Sequence, residues 1–365
     1  MSLRPSCCHN TLLRCLTGLA LLLPALPGHA FTPCVNNGQQ LHDALLNAAL
    51  SSDINVVIKV RTGTYTATNT VDFATTLSHS NQVVEISGGW SGPSNSCEEK
   101  TFDSSATVLV GSANKPALYF KTSPAVSGST IYVHDVTLTN PNYIDPSYSA
   151  CLAGYLTAGN EAVVDRVKMY QCIAPGTSYA SAYLENTSGT LTVRNVVAST
   201  GTAQTNGGIA INTYDGGITR VAQVSVTATE SLTPSSTVSG LSIENYGNSF
   251  TYVSNSVFWR NDGTPTTADL SVAGTGIFLT RTHYGTLRGT PTTNLTPSTG
   301  QAGFVSLSDA HLRTDSILID SGVANPVGGS GTFDVEGHAR VSGAAVDIGA
   351  FESDRLFADG FQTDP

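Results

Sequence analysis

The chain has 365 residues, of which only 12% are charged, and a formal net charge of −10. An acidic, sparsely charged chain with 35 glycines makes a poor partner for nucleic acid, which is bound chiefly through clustered Lys and Arg. Hydrophobic residues make up 40%, enough over this length for a large core.

Residues 1–30 read as a secretory signal peptide. Arg4 and Arg14 precede the apolar run "CLTGLALLLPALPGHA", which is too short to span a bilayer and ends in small residues, with cleavage expected after Ala30. Cys15 lies before the apolar run rather than at its end, which argues against a lipid anchor. No later stretch has the length of a membrane helix. Of the seven cysteines, Cys34, Cys97, Cys151 and Cys172 follow the signal. An even number in an exported chain points to two disulfides with three available pairings, of which Cys34–Cys97 with Cys151–Cys172 is preferred. No CxxC or His pair accompanies them, so they do not read as metal ligands.

Residues 31–110 read as an N-terminal cap and first coils. The segment "GQQLHDALLNAAL" carries the one helical pattern, with Leu41, Leu45, Ala48 and Ala49 on one face, and leads into the strand "INVVIKV". From 111 to 300 the chain repeats itself. "IYVHDVTLTN", "AVVDRVKMYQ", "LTVRNVVAST", "TRVAQVSVTA" and "TYVSNSVFWR" share a Val-x-x-Val frame. Val133, Val164, Val193, Val221 and Val253 mark it, at steps of 31, 29, 28 and 32 residues; Ser256 stands where the last copy should have its second Val. A second strand recurs in the same frame: "ALYFKT", "GYLTAG", "AYLENT", "GIAINT", "GLSIEN" and "GIFLTR". Short strands at a fixed period, separated by polar turns, predict an all-β fold, a right-handed single-stranded parallel β-helix. The dipeptide between the two valines suits a tight corner that tolerates left-handed geometry, for which Asn195 is well chosen and Arg166 and Gln223 less so. Open strand edges at both ends call for caps. The helix serves at one end and residues 301–353 at the other, with an acidic tail over 354–365. Capped ends predict a monomer.

The helix followed by "NVVIKVRTGTY" resembles the entry to right-handed parallel β-helix proteins of the pectin-lyase-like superfamily, and "SNSVFWRNDG" looks like the last full coil of their exported bacterial members. The segment "HLRTDSILIDSGVANPVGGSGTFDVEGHARVSGAAVDIGAFE" is similar to the C-terminal module of choice-of-anchor Q domain proteins. The matching residues are Ile319, Asp320 and Gly322, then Asp334, Gly337 and Arg340, then Val346, Asp347, Gly349, Ala350 and Glu352. "SILID" departs from the family's Ser-Pro-Ala-Ile-Asp. The closing "LFADGF" is similar to a tail on exported gammaproteobacterial proteins. The resemblance implies a secreted or cell-surface protein of a Gram-negative bacterium, and says little about activity.

Three groups of residues invite functional readings. Asp320, Asp334, Arg340, Asp347 and Glu352 lie in Gly-rich turns. A structural cap in which Arg340 is fastened to carboxylates is preferred over a calcium site, and both over a catalytic acid pair. Asp135, Asp165, Arg166, Lys168 and Arg194 form the best local cluster for a polysaccharide lyase, but opposite charges one coil apart also read as a solvated ion-pair ladder, which is preferred. The Asn-Thr-Asp, Asp-Asp, Gly-His-Gly and Arg-Ile-Lys motifs of polygalacturonases are absent, so no catalytic residue and no cofactor is assigned. In the second strand family, Leu118 and Phe120, Leu156, Ala182 and Leu184, Ile209 and Ile211, Leu241 and Ile243, and Ile277 and Leu279 point inward. Tyr119, Tyr155 and Tyr183 then stack outward, with Glu185 and Glu244 among the polar residues next along the strands. Rigid aromatic rings beside polar groups can serve as a sugar-binding platform. The expected partner is an extracellular polysaccharide or a cell-envelope component, bound without catalysis. A lyase acting on acidic glycans is the alternative.

Overall fold

A computed structural model describes residues 31–353, apart from 52, 234–237, 262–267 and 298–299. The expected signal peptide and acidic tail lie outside the described residues.

The chain winds into a parallel β-solenoid with three faces. The long strands Thr130–Asn140, Glu161–Ala174, Thr190–Ser199 and Ile218–Thr227 each serve two faces by turning a corner in mid-strand. The third face is an eight-stranded parallel sheet running from Ala74–Leu77 through Leu118–Thr122, Leu152–Leu156, Ala182–Thr187, Ile209–Tyr214, Val238–Asn245 and Ala268–Ala273 to Leu287–Arg288.

Register explains the repeat. Ile58, Ile86, Val133, Val164, Val193, Val221, Val253 and Leu279 pair rung to rung and form one buried ladder. The second Val of the frame builds another through Val136, Val167, Val196 and Val224. Ser256 continues it as a fully buried residue, because its hydroxyl accepts from the Val224 N–H at 3.1 Å and donates to the Ser254 carbonyl at 2.8 Å. Between the ladders, Asp135, Arg166, Asn195, Gln223 and Asn255 all have positive φ, from 47° to 59°. The corner is therefore left-handed in all five of these coils. Burial and packing hold even Arg166 and Gln223 in a conformation that costs a branched or long side chain free energy.

The helix Gly38–Leu50 covers the open end of the core near the N-terminus. Asn37 caps it by accepting from the Gln40 N–H, and Leu41, Ala44, Leu45 and Ala48 are buried. Ala44 takes the place expected of Ala49. Thr75 and Gln82 of the first coils donate to the Leu45 and Ala48 carbonyls and so tie the helix down. The two disulfides are Cys34–Cys97 and Cys151–Cys172. Among the described residues, no helix is long and apolar enough to cross a membrane.

Residues 301–353 contain no helix or extended strand among the described residues, and they lie along the side of the stack, over the coils from Ser104 to Asn255, rather than over its far end as expected. Val335 meets Ser104, Ser330 meets Asn195 and Gln223, and Val323 and Gly349 meet Asn255. The segment thus runs back across successive coils, over the left-handed corner. Val257 with Leu318, Ile319 and Ile348, and Val197 with Val335, Ala350 and Phe351, form its two small apolar cores.

Candidate functional site

The outward side of the third face carries a continuous band of tyrosines. Tyr119 and Tyr183 both pair with Ala153, whereas Tyr155 pairs with Lys121 and Glu185. Tyr155 thus stands two residues further along its strand than the motif comparison placed it, and on the same side of the sheet. Gly154 is the cause. It takes the inward slot between Phe120 and Leu184, where a Cβ would meet Phe120 Cζ at 2.4 Å. The missing apolar residue hides the true frame, and "CLAGYL" aligns with "SAYLEN". After Val238–Asn245 the face continues with Ala268–Ala273 and Leu287–Arg288; Phe278 of "GIFLTR" lies on another face, beside Tyr252.

The diagonal placement still closes the row. Ring centroids are 5.9 Å apart for Tyr119 and Tyr155 and 5.8 Å for Tyr155 and Tyr183. Tyr148 packs against both Tyr119 and Tyr155, and Tyr179 stacks on Tyr183 at 4.9 Å. Further along, Tyr214 and Tyr246 stack at 4.6 Å with their planes 6° apart. A cavity of about 350 Å³ opens between Tyr148, Tyr155, Tyr179, Tyr183 and Glu185. A second, of about 220 Å³, lies beyond Tyr119 and Tyr148, against Lys115 and Asp145. Burial raises the Tyr119, Tyr155 and Tyr183 phenols above their ordinary range, and Glu185 adds to this at Tyr155 and Tyr183. The hydroxyls therefore stay protonated as donors. Sequence comparison missed Tyr148, Tyr179, Tyr214 and Tyr246. The last two were legible: "INTY" and "IENY" repeat in frame, two residues after Asn212 and Glu244.

The candidate lyase cluster is a different object from the solvated ladder expected of it. Asp135 is fully buried, and Asp165 and Arg166 are 5% and 9% exposed. The Arg166 guanidinium bridges Asp135 Oδ1 at 2.6 Å and Asp165 Oδ2 at 2.9 Å. Lys100 and His134 also reach Asp135, at 2.8 and 2.6 Å, and His134 Nε2 meets Glu85 at 2.9 Å. Arg194 and Asn195 complete the set on Asp165. Burial alone would raise the Asp135 carboxyl, but the His134 and Arg166 hydrogen bonds outweigh it and bring it down to about 2. The Asn195 side chain carries the network on to the Ser330 carbonyl of the lateral cap. Lys168 is held apart from this network, by Glu336 at 2.7 Å and Ser105 at 2.8 Å. Three of the four predicted charges around Arg166 are thus gathered, and each is paired with a neighbour, with Arg194 also bordering an open hollow.

The charged residues of the C-terminal segment serve mostly its own backbone. Arg340 is 2% exposed and donates to the carbonyls of Ala350, Asp347 and Gly349, with Glu352 at 3.7 Å as its carboxylate neighbour. Asp347 accepts from the Asp320 and Ser353 N–H groups. Asp334 accepts from Glu336, His338 and Glu352, and Asp320 from Ala344 and Ala345. Carboxylates that bind backbone N–H groups and an arginine that binds carbonyls supply the pairing a segment without regular ladders lacks. Among the described residues, no group of three or more His, Cys, Asp or Glu is arranged to hold a metal ion.

On the face formed by the long strands before their corner, an open trough of about 500 Å³ runs past Gly159, Asn160, Glu161 and Arg220, with a further hollow of about 390 Å³ reaching Tyr132 and Arg194. Glu161, Arg220 and Tyr132 were not singled out from the sequence, although Tyr132 and Arg220 each directly precede the first Val of the frame and share one row with Val163 and Thr192. No family model, no curated protein and no solved structure matches this chain, so the finer resemblances rest on the quoted motifs alone.

Proposed function

We propose that this is an exported, non-catalytic protein that binds an extended extracellular polysaccharide along the tyrosine band of its third face. The observation that carries this reading is the unbroken contact from Tyr148 and Tyr119 through Tyr155 to Tyr183 and Tyr179. Rings fixed by a sheet lose little conformational freedom on binding, and half-buried tyrosines offer an apolar surface with a hydroxyl at its rim. Parallel rungs about 4.8 Å apart repeat that surface along the solenoid axis, which suits a polymeric ligand. Two disulfides fit an oxidising compartment.

The test is depletion of the protein, without residues 1–30, from solution by a panel of insoluble and gelled polysaccharides. Unsaturated and reducing ends are measured in the same tubes. Depletion without product is expected, weakened roughly tenfold or more in Tyr155→Ala and Tyr183→Ala, the scale of a central binding residue. Release of unsaturated ends would instead support a lyase. Depletion that both variants retain in full would remove the tyrosine band from the account.

A further inference from the structure

The half of the tyrosine band beyond Tyr155 differs in chemistry from the half before it. Glu185, Asn212 and Glu244 occupy one row on three successive rungs. Tyr183 donates its hydroxyl to Glu185 at 3.1 Å, and Asn212 Nδ2 donates to the Tyr183 and Tyr214 hydroxyls at 3.2 and 3.3 Å. Tyr246 donates to Glu244. The stacked pair Tyr179–Tyr183 lies to one side of this row and the stacked pair Tyr214–Tyr246 to the other. Among the described residues, neither Glu185 nor Glu244 forms an ion pair with Lys, Arg or His. The basic residue on the row is Lys121, two rungs before Glu185 with Tyr155 between.

Two uncompensated carboxylates framed by aromatic faces form an environment for an organic cation. The ring faces carry negative quadrupole density, and a carboxylate takes a charge-assisted hydrogen bond from an ammonium. The same carboxylates repel a uronate. Resting on the polysaccharide reading above, we propose that the Tyr179–Tyr246 half of the band selects chains bearing free amino groups. A pyranose ring would stack on tyrosine while its ammonium meets the carboxylate of Glu185 or of Glu244, on either side of Asn212.

Titration calorimetry decides this with a soluble glucosamine polymer and the same preparation after N-acetylation. The amine form is expected to bind at least tenfold more tightly. Glu185→Gln with Glu244→Gln should erase that preference, so that the two polymers bind alike. Glu98→Gln with Glu99→Gln, an equal change in net charge at exposed positions, should leave the preference intact. Equal affinity for both polymers would overturn the amine selectivity and leave polysaccharide binding standing. A preference that survives the Glu185/Glu244 change, or is lost equally in the Glu98/Glu99 control, would also overturn it, as general attraction to an acidic protein. Binding of neither polymer, or of any glycan in the depletion panel, would remove both proposals.

Discussion

Single residues show that charge here is spent mainly inside the molecule. Arg166 sits at a left-handed corner that its residue type disfavours, and two buried aspartates account for its being there. The sequence showed the column of Asp135, Arg166 and Asn195 but not its burial, because the cover comes from Ser330, more than a hundred residues away. Glu352 gives the most direct check on such placement. Burial pushes its carboxyl up to about 7, against the pull of Arg340. An acid raised in the folded state is ionised first in the unfolded chain, so stability falls as pH rises from about 4.5 to about 7. The full difference is about 3 kcal/mol. Glu352→Gln should flatten that interval when urea midpoints are compared at pH 5 and pH 8. An unchanged slope would mean that Glu352 ionises as freely in the folded protein as in solution.

Elements are where the sequence was most legible and where it misled at two strands. The Val ladder, the corner residues and the capping helix follow from period, residue type and an amphipathic face, because each coil repeats the same local problem. The third-face alignment slipped by two residues at Leu152–Leu156 and wrongly took in "GIFLTR", where Ala268–Ala273 is the strand of this face. Gly154 fills a slot that Phe120, Leu184, Ile211, Ile243 and Val272 occupy on other rungs, and Phe120 from the previous coil takes up its volume. Sequence shows residues in one strand, whereas this compensation is made across two. Gly154→Ala should therefore cost roughly 1–3 kcal/mol by overpacking, and Phe120→Leu should recover part of it in the double variant. Chemical denaturation measures both. An additive double variant would place Gly154 elsewhere than between Phe120 and Leu184.

The whole molecule departs from a simple stack at its C-terminal segment. Coils of a solenoid normally contact only their neighbours, so cooperativity is passed along one step at a time. Residues 301–353 add ties between distant coils, from Ser104 near one end to Asn255 near the other. The charged residues spaced through the turns of "DVEGHARVSGAAVDIGAFE" pointed to a capping role, but their spacing carried no sign of which surface would be covered. A chain ending at residue 300 should unfold at a lower midpoint and over a broader range than the longer protein, because Val257 and the Asp165–Arg194 cluster lose their cover. Circular dichroism during a denaturant titration reads both effects, and a midpoint and width equal to those of the longer chain would deny the segment this role.

The central claim concerns the outer surface of the third face, and a structure of the protein with a bound oligosaccharide from the tightest polysaccharide of the panel tests it most directly. The account predicts sugar rings seated on Tyr155 and Tyr183 and continuing toward Tyr214. A chain lying instead in the trough beside Glu161 and Arg220 would contradict it.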